Sequence, residues 1–597
     1  MVTPPLLVVS EPEDFRFRSC NWATNTRLLC SVIGMQNVGA YTYAMTRLIA
    51  VDADGRNRRV LIQQSASAQG QFQDRVLNWN PGPPDTVLVE ADEGQDASGN
   101  WLAPPSIVVG EVGTHGLPAV FELNIVTGRM FLREHARAPI RHWITDSAGR
   151  VRLGWGFDHA EVSYYARLAN GNDWLRLAKF EVFSREQHFE PIAVSADDPN
   201  KAYAIASSEG RDALWLIDLT DKNPPALVFA HPRVDVTQPL LDREGHLLGV
   251  YYETSMPDIY YTDDRARSVI ASVNKVLADK FNFIVSTSVD KSVYVIGSSS
   301  DLEPTSFSVF DTTTLRLKMV SDHQQWLDPT ALARVRPMNY PARDGTSIPG
   351  YLTLPSGRAS KRLPLIVMPH GGPIARDGWD YFFLLQFLAS RGYAVLQMNF
   401  RGSGGYGDDW FFAAHQDWGG LTYDDVVDGT RWAIQQGIAD PERICIVGWS
   451  FGGYIALVGG QRNSDLFSCA VSIAGISDLS LLIAESWGDP VTRKQIGTNS
   501  EKLKRDSPRL HAAEFKVPVL MVHGDHDAQV PLTQSQLMDS ALRQAHKAER
   551  LVVIPNADHA LSGKTFRVTL LSELQAFLAE HLDHPPGQTS QSSTVAK

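Results

Sequence analysis

The chain has 597 residues, of which 43% are apolar and 20% charged, and it carries a net charge of −12. One hydrophobic core cannot fill a chain of this length, so two or more domains are expected. An acidic surface excludes polyanions, both nucleic acid and anionic membrane, as default partners. No apolar run reaches the roughly 18 residues of a transmembrane helix. The opening stretch Met1–Phe15 lacks the basic and long apolar regions of a signal peptide. The expected location is therefore soluble: cytoplasmic, or periplasmic or secreted if a leader has been removed. The four cysteines, Cys20, Cys30, Cys445 and Cys469, form no Cys-x-x-Cys pair, so neither a zinc knuckle nor a disulfide framework is indicated. Cys20 and Cys30 could pair in an oxidising compartment. Cys445 and Cys469 lie in apolar runs and read as buried small hydrophobes.

Up to about residue 330 the chain reads as short strands between turns. Tyr41–Asp52, Thr86–Glu90, Val120–Asn124, Ala202–Ala206, Ala213–Asp218, Leu247–Tyr252, Ser292–Gly297 and Ser306–Asp311 are examples. Many end in turn chemistry, such as Asp52-Ala-Asp-Gly55, Val126-Thr-Gly-Arg129, Asp218-Leu-Thr-Asp221 and Asp311-Thr-Thr-Thr314, where side chains bond back to the backbone or φ turns positive. At roughly 40–45 residues per blade, a domain over 1–330 would be a propeller of about seven blades. Degenerate repeats of this kind also fit a set of β-sandwiches.

A junction follows at Arg334–Pro355, with Pro337, Pro341, an Asp344-Gly345 turn and the strand Ile348–Leu354. The pattern then changes. Continuously apolar strands at Leu365–Met368, Ala394–Asn399, Ile444–Val447, Cys469–Ile473, Val517–His523 and Leu551–Ile554 suit a parallel sheet covered on both faces. Helical stretches at Tyr381–Ser390, Tyr423–Gln436, Phe451–Gly459, Leu532–Gln544 and Phe566–His581 alternate with them. That alternation predicts a doubly wound α/β domain over 331–585. The polar residues 586–597 are expected to be a disordered tail.

Gly448-Trp449-Ser450-Phe451-Gly452 follows a buried strand and opens a helix, which is the setting of a nucleophile elbow. There Ser450 is lifted clear of the sheet, and the Phe451 amide at the helix start points to a developing oxyanion. A serine needs an adjacent base, and in such a fold the order is serine, acid, histidine. Asp527, beyond one strand, and His559, beyond the next, fit that order: His559 as general base and Asp527 as the group orienting it. Asp525 is the rival acid, and Asp558 reads as a solvated turn residue. His523, Asp525, His526 and Asp527 superficially resemble metal ligands, but no second cluster with ligand spacing accompanies them, so no metal and no other cofactor is expected. His370-Gly371-Gly372-Pro373 resembles an oxyanion loop in which Gly371 or Gly372 offers a second backbone N–H. Gly402-Ser-Gly404-Gly-Tyr-Gly407 matches a dinucleotide fingerprint, but its next clear helix is expected only near Tyr423, so nucleotide binding is not expected.

Together, Asp344-Gly345, His370-Gly-Gly-Pro373, Asn399-Phe-Arg-Gly-Ser-Gly-Gly-Tyr-Gly407, Gly448-Trp-Ser-Phe-Gly-Gly-Tyr454, Ser507-Pro508 and His523-Gly-x-x-Asp527-x-x-Val-Pro531 resemble the prolyl oligopeptidase family of serine peptidases, in its acylaminoacyl-peptidase-like branch. The resemblance implies an α/β hydrolase behind an N-terminal propeller that restricts entry to short peptides. Short peptides are the expected partners, with homo-oligomerisation left open by the sequence. Where some branches use a tyrosine hydroxyl in the oxyanion site, this chain has His370, so a backbone amide of Gly371 or Gly372 is expected instead. Many relatives carry arginine two residues after the acid; here Gln529 can still donate to a substrate carbonyl but brings no charge. Trp487, in Ile483-Ala-Glu-Ser-Trp487, would line the pocket for the side chain before the cut bond, or pack as a surface-helix tryptophan. A carboxylesterase with the same three residues is the alternative activity.

Overall fold

A computed structural model describes residues 15–38, 41–62, 72–92, 106–108, 111–113, 117–185, 189–321, 327–357, 361–486 and 489–583. The expected tail at 586–597 and Trp487 lie outside these. The chain gathers into two compact units: 1–231, 236–250 and 486–495 in one, and 232–235, 251–485 and 496–597 in the other.

The N-terminal part is a β-propeller. Its described residues form six antiparallel sheets, over 15–60, 75–134, 142–181, 189–229, 236–261 and 281–321; five have four strands and that at 236–261 has three. Six blades replace the expected seven. The repeat length used for the estimate is too short here, because the blades carry extra chain. A separate hairpin, Ser106–Val108 with Glu111–Gly113, is inserted within the second sheet, and the helix Asp264–Asn274 stands between the last two. The turns follow the expected chemistry. Asn124 Oδ1 accepts the amides of Val126 and Thr127 at 3.1 and 2.8 Å, Asp218 Oδ1 accepts Thr220 N–H at 2.8 Å, and Asp311 Oδ1 accepts Thr313 and Thr314 N–H at 2.8 and 2.9 Å. Cys20 and Cys30 face each other across the first hairpin and form a disulfide.

The C-terminal part is an α/β hydrolase built on eight strands: β1 (Val335–Pro341), β2 (Ser347–Thr353), β3 (Leu363–Val367), β4 (Ala394–Met398), β5 (Ala439–Trp449), β6 (Cys469–Ile473), β7 (Val519–Gly524) and β8 (Glu549–Ile554). Their order is β1-β2-β4-β3-β5-β6-β7-β8, and β3 to β8 run parallel. The apolar runs divide by period two, because successive side chains leave a strand on opposite faces. Leu365, Val367, Ile444 and Ile446 go to one face, and Ile366, Cys445, Val447 and Val471 to the other. Helices α1 (Phe383–Ser390) and α5 (Lys564–Leu582) cover the second face through Leu384, Leu388, Leu570 and Leu574; α2 (Leu421–Gln435) and α3 (Phe451–Arg462) cover the first through Val426, Ala433, Ile455 and Val458. Helix α4 (Thr533–Gln544) packs Met538 and Leu542 on Val519 and Met521. Burial on both faces is why these strands lack polar alternation. Cys445 and Cys469 are fully buried as expected, but they also pair directly across β5 and β6 as a second disulfide.

Two polar devices hold this unit together. Arg401, buried after β4, bonds Asp425 of α2 through Nε at 3.0 Å and through a further N–H, and also reaches Asp344. This pair ties the start of the loop Gly402 to Gly407 to α2. The six-residue helix Asp408–Ala413 follows Gly407 directly, earlier than the helix expected near Tyr423. Gln386 of α1 is 3% exposed and spans Ala333 and Asp301: its Oε1 accepts Ala333 N–H at 2.9 Å, and its Nε2 donates to Ala333 O and Asp301 O at 2.9 and 3.0 Å. Gln386→Leu would leave three buried backbone groups unpaired. The expected loss is about 3 kcal/mol, read as a lower urea midpoint with unchanged slope. No helix among the described residues is long and apolar enough to cross a membrane.

Candidate active site

Strand β5 delivers Ser450 to a turn with φ 58° and ψ −120°, and α3 begins at the next residue. This left-handed backbone is rare outside glycine and marks a held conformation. The turn is so tight that a Cβ on Gly448 would stand 2.0 Å from Gly452 O, and one on Gly452 would stand 2.1 Å from Pro369 O. Side chains at these two positions would force the elbow open. As the first residue of α3, Phe451 has an amide with no intrahelical acceptor, and its ring is buried beneath the turn.

The loops after β7 and β8 are stitched side by side. His526 N–H donates to Ala557 O at 3.0 Å, and Asp525 Oδ1 accepts Asn556 N–H at 2.6 Å. Asp525, the rival acid, is thus engaged in the stitch through Oδ1. Asp527 Oδ2 meets His559 Nδ1 at 2.6 Å, while its Oδ1 accepts the amides of Gln529 and Val530 at 2.8 and 2.9 Å. His523 adds a contact of 3.2 Å from Nε2 to Asp527 Oδ2, and that same nitrogen donates to Val530 O at 2.9 Å. Burial alone would raise the Asp527 carboxyl, but the hydrogen bonds from His523 and His559 and their charge outweigh it and hold it at about 2. Asp527 is therefore an anion across the neutral range and accepts a hydrogen bond from His559 Nδ1.

Trp449, which the sequence reading passed over, joins the two halves of the site. Its indole N–H donates to His559 O at 2.9 Å, tying the histidine turn to the residue before Ser450. Asp558 is buried, not solvated: its carboxylate accepts the amide and hydroxyl of Ser562, both at 2.9 Å, and so shapes the turn after His559. No local motif signals the Trp449 role, which depends on which loops meet, whereas the Asp558–Ser562 contact is local to one turn.

The loop after β3 lies against the elbow. A Cβ on Gly371 would stand 3.5 Å from Ser450 Cβ, and Gly372 has φ +121°, which favours glycine. His370 is buried, stacked on Phe400 at 4.2 Å; its Nδ1 donates to Gly371 O at 2.7 Å and its Nε2 lies 2.8 Å from Ser403 Oγ. Burial pushes this imidazole down to about 4, so it is neutral. With both nitrogens engaged, His370 has no free polar atom for a substrate and instead orients the Gly371 peptide. Gln529 is exposed, with its backbone fixed by Asp527.

Comparison with known proteins finds relatives of the C-terminal part and of the fold as a whole. Residues 379–585 match the prolyl oligopeptidase family. Dipeptidyl aminopeptidase BIII of Pseudoxanthomonas mexicana is 27% identical over 510 residues, 80% of this chain and 72% of that protein. The acylamino-acid-releasing enzyme of Arabidopsis thaliana is 30% identical over 210 residues, 33% of this chain and 28% of that one. A Mycobacterium tuberculosis puromycin-hydrolyzing peptidase of known structure shares the fold at a TM-score of 0.71 and 19% identity, over 97% of this chain and 88% of that one. With the elbow and the family match in agreement, residues 379–585 belong to the prolyl oligopeptidase family, and the chain is a serine-type peptidase.

Proposed function

We propose that this peptidase cuts short peptides through an acyl-enzyme on Ser450, with His559 as general base and Asp527 orienting it, and that its propeller limits substrate length. The observation that carries this reading is the 2.6 Å Asp527–His559 bond on a turn tied by Trp449 to the strained serine elbow. The Ser450 hydroxyl has no hydrogen-bond partner among the described residues. It turns to His559 Nε2 as the substrate carbonyl arrives, since catalytic hydrogen bonds often tighten only in the complex. His559 takes the hydroxyl proton while Ser450 Oγ attacks. The oxyanion falls between the Phe451 amide and an amide of the Gly371-Gly372 pair. His559 then returns the proton to the leaving amine. Water repeats the sequence to release the acid.

The acylaminoacyl and oligopeptidase types fit the neutral Gln529, which offers a hydrogen bond but no charge to a substrate carboxylate. A peptide-library digest read by mass spectrometry, with free and acetylated N-termini and with aryl esters run in parallel, tests the proposal. Cleavage of short peptides with blocked ends accepted is the expected result. Release of dipeptides from free N-termini alone would move the assignment toward the activity named for the Pseudoxanthomonas relative. Ester turnover without amide cleavage would make the chain a carboxylesterase.

A further inference from the structure

The segment after the oxyanion glycines is fastened at three places, and one fastening has a character the others lack. Gly404 N–H donates to Ile374 O at 2.9 Å and to Ala375 O at 3.2 Å. Asn399 holds Asp377 through both backbone groups, accepting its N–H at 2.7 Å and donating to its O at 3.0 Å. Between them Arg376 reaches the end of the strand Leu247–Glu253. Its guanidinium donates to Glu253 O at 3.0 Å, to Thr254 O at 2.6 Å and to Tyr406 OH at 3.0 Å, and it lies 4.5 Å over the Tyr406 ring. Tyr406 OH in turn accepts Asn399 Nδ2–H at 2.7 Å.

All these acceptors are neutral, although two carboxyl groups, Glu253 and Asp377, act on the cation through space. Glu253, Asp377 and Asp380 each interact with Arg376 or with one another through space, and burial raises all three, Asp377 to about 8. A cation among desolvated acids would ordinarily pair with one of them in a fork. Here its donors go to two successive carbonyls at a strand end instead. A planar guanidinium can bridge two carbonyls and stack on a ring at once, whereas an ammonium cannot.

We infer that Arg376 is a positioning residue that locks the oxyanion loop to the end of strand 247–253, so that the place of the Gly371-Gly372 amides depends on this side chain beside the two backbone fastenings. The inference rests on the oxyanion role proposed above. Gly371 touches the elbow and Arg376 follows it by five residues. Gly372, between the elbow contact and the tether, supplies little stiffness of its own. Without the tether, and with the three acids left facing one another, the loop has room to shift, and a shift near 1 Å is enough to weaken a transition-state contact.

The test compares Arg376→Ala and Arg376→Lys with the natural chain, well below the melting temperature of each. Labelling of Ser450 by a fluorophosphonate in the natural chain first checks the nucleophile, so failure of that assignment is seen separately. Both variants are then expected to lose about 10–100-fold in kcat with KM within a factor of about two. A peptide boronate, which mimics the tetrahedral state, should lose affinity by the same factor, whereas a product peptide should not. Added guanidinium should recover part of the Arg376→Ala activity. Unchanged kcat and boronate affinity, with only the melting temperature lowered, would overturn the inference and leave Arg376 a stabilising residue. A rise in KM alone would overturn it as well.

Discussion

Replacing Ser450 by alanine is expected to lower peptide turnover by about six orders of magnitude while leaving the fold intact. The reaction depends on the hydroxyl as the atom that forms the acyl bond. The residual rate would come from the Phe451 and Gly371-Gly372 amides and from binding, which persist without the nucleophile. The packing beneath the elbow belongs to the buried Phe451 and to the contact of Gly448 with Gly452, not to the serine side chain. The unfolding free energy should therefore move by no more than about 0.5 kcal/mol. Alanine keeps the positive φ of 58°, so the strain stays and does not mask the result. Steady-state rates together with urea unfolding check both halves. Turnover within tenfold of the natural chain would remove Ser450 as nucleophile.

Asp527→Asn is expected to reduce kcat by about 10⁴, with KM little changed. The carboxylate now accepts from His559 Nδ1, and an amide in its place can present N–H to that nitrogen. The imidazole would then carry its proton on Nε2 and could no longer take the proton of Ser450. The change also puts a donor near His523 Nε2, which already donates to Val530 O. Some stability is lost with it. The sign follows from the depressed folded value of about 2, against about 4 for a free aspartate. The stabilisation is complete above about pH 4 and disappears as the pH falls through about 2. At neutral pH it amounts to about 2 kcal/mol. The melting temperatures of the natural chain and Asp527→Asn should thus differ at pH 7 and converge toward pH 2. A gap that persisted at the acid end would mean that the carboxylate is not held by the two histidines. His559→Ala should be as inactive as Ser450→Ala at every pH, because the hydroxyl and its base act as one unit.

Local sequence carried the α/β part and the candidate triad. Buried strands such as Leu365–Met368 and Cys469–Ile473 show themselves as apolar runs bounded by turns, and the observed β3 and β6 fall there. Ser450 sits in a motif whose glycines answer a purely local demand, the closeness of Gly448 to Gly452. Asp527 and His559 end successive strands, and parallel order brings successive strand ends to one edge. Other features are properties of assembly. The number of blades depends on how much chain each sheet consumes, and the insertion at 106–113 and the helix at 264–274 have no repeat to betray them. The burial of His370 against Phe400, the indole bond from Trp449 to His559 and the reach of Arg376 to Glu253 and Thr254 join residues 30 to 123 positions apart. A side chain's periodicity and its neighbours in sequence tell which face it takes, but not which distant backbone group waits there. That choice is made only when the loops close on one another.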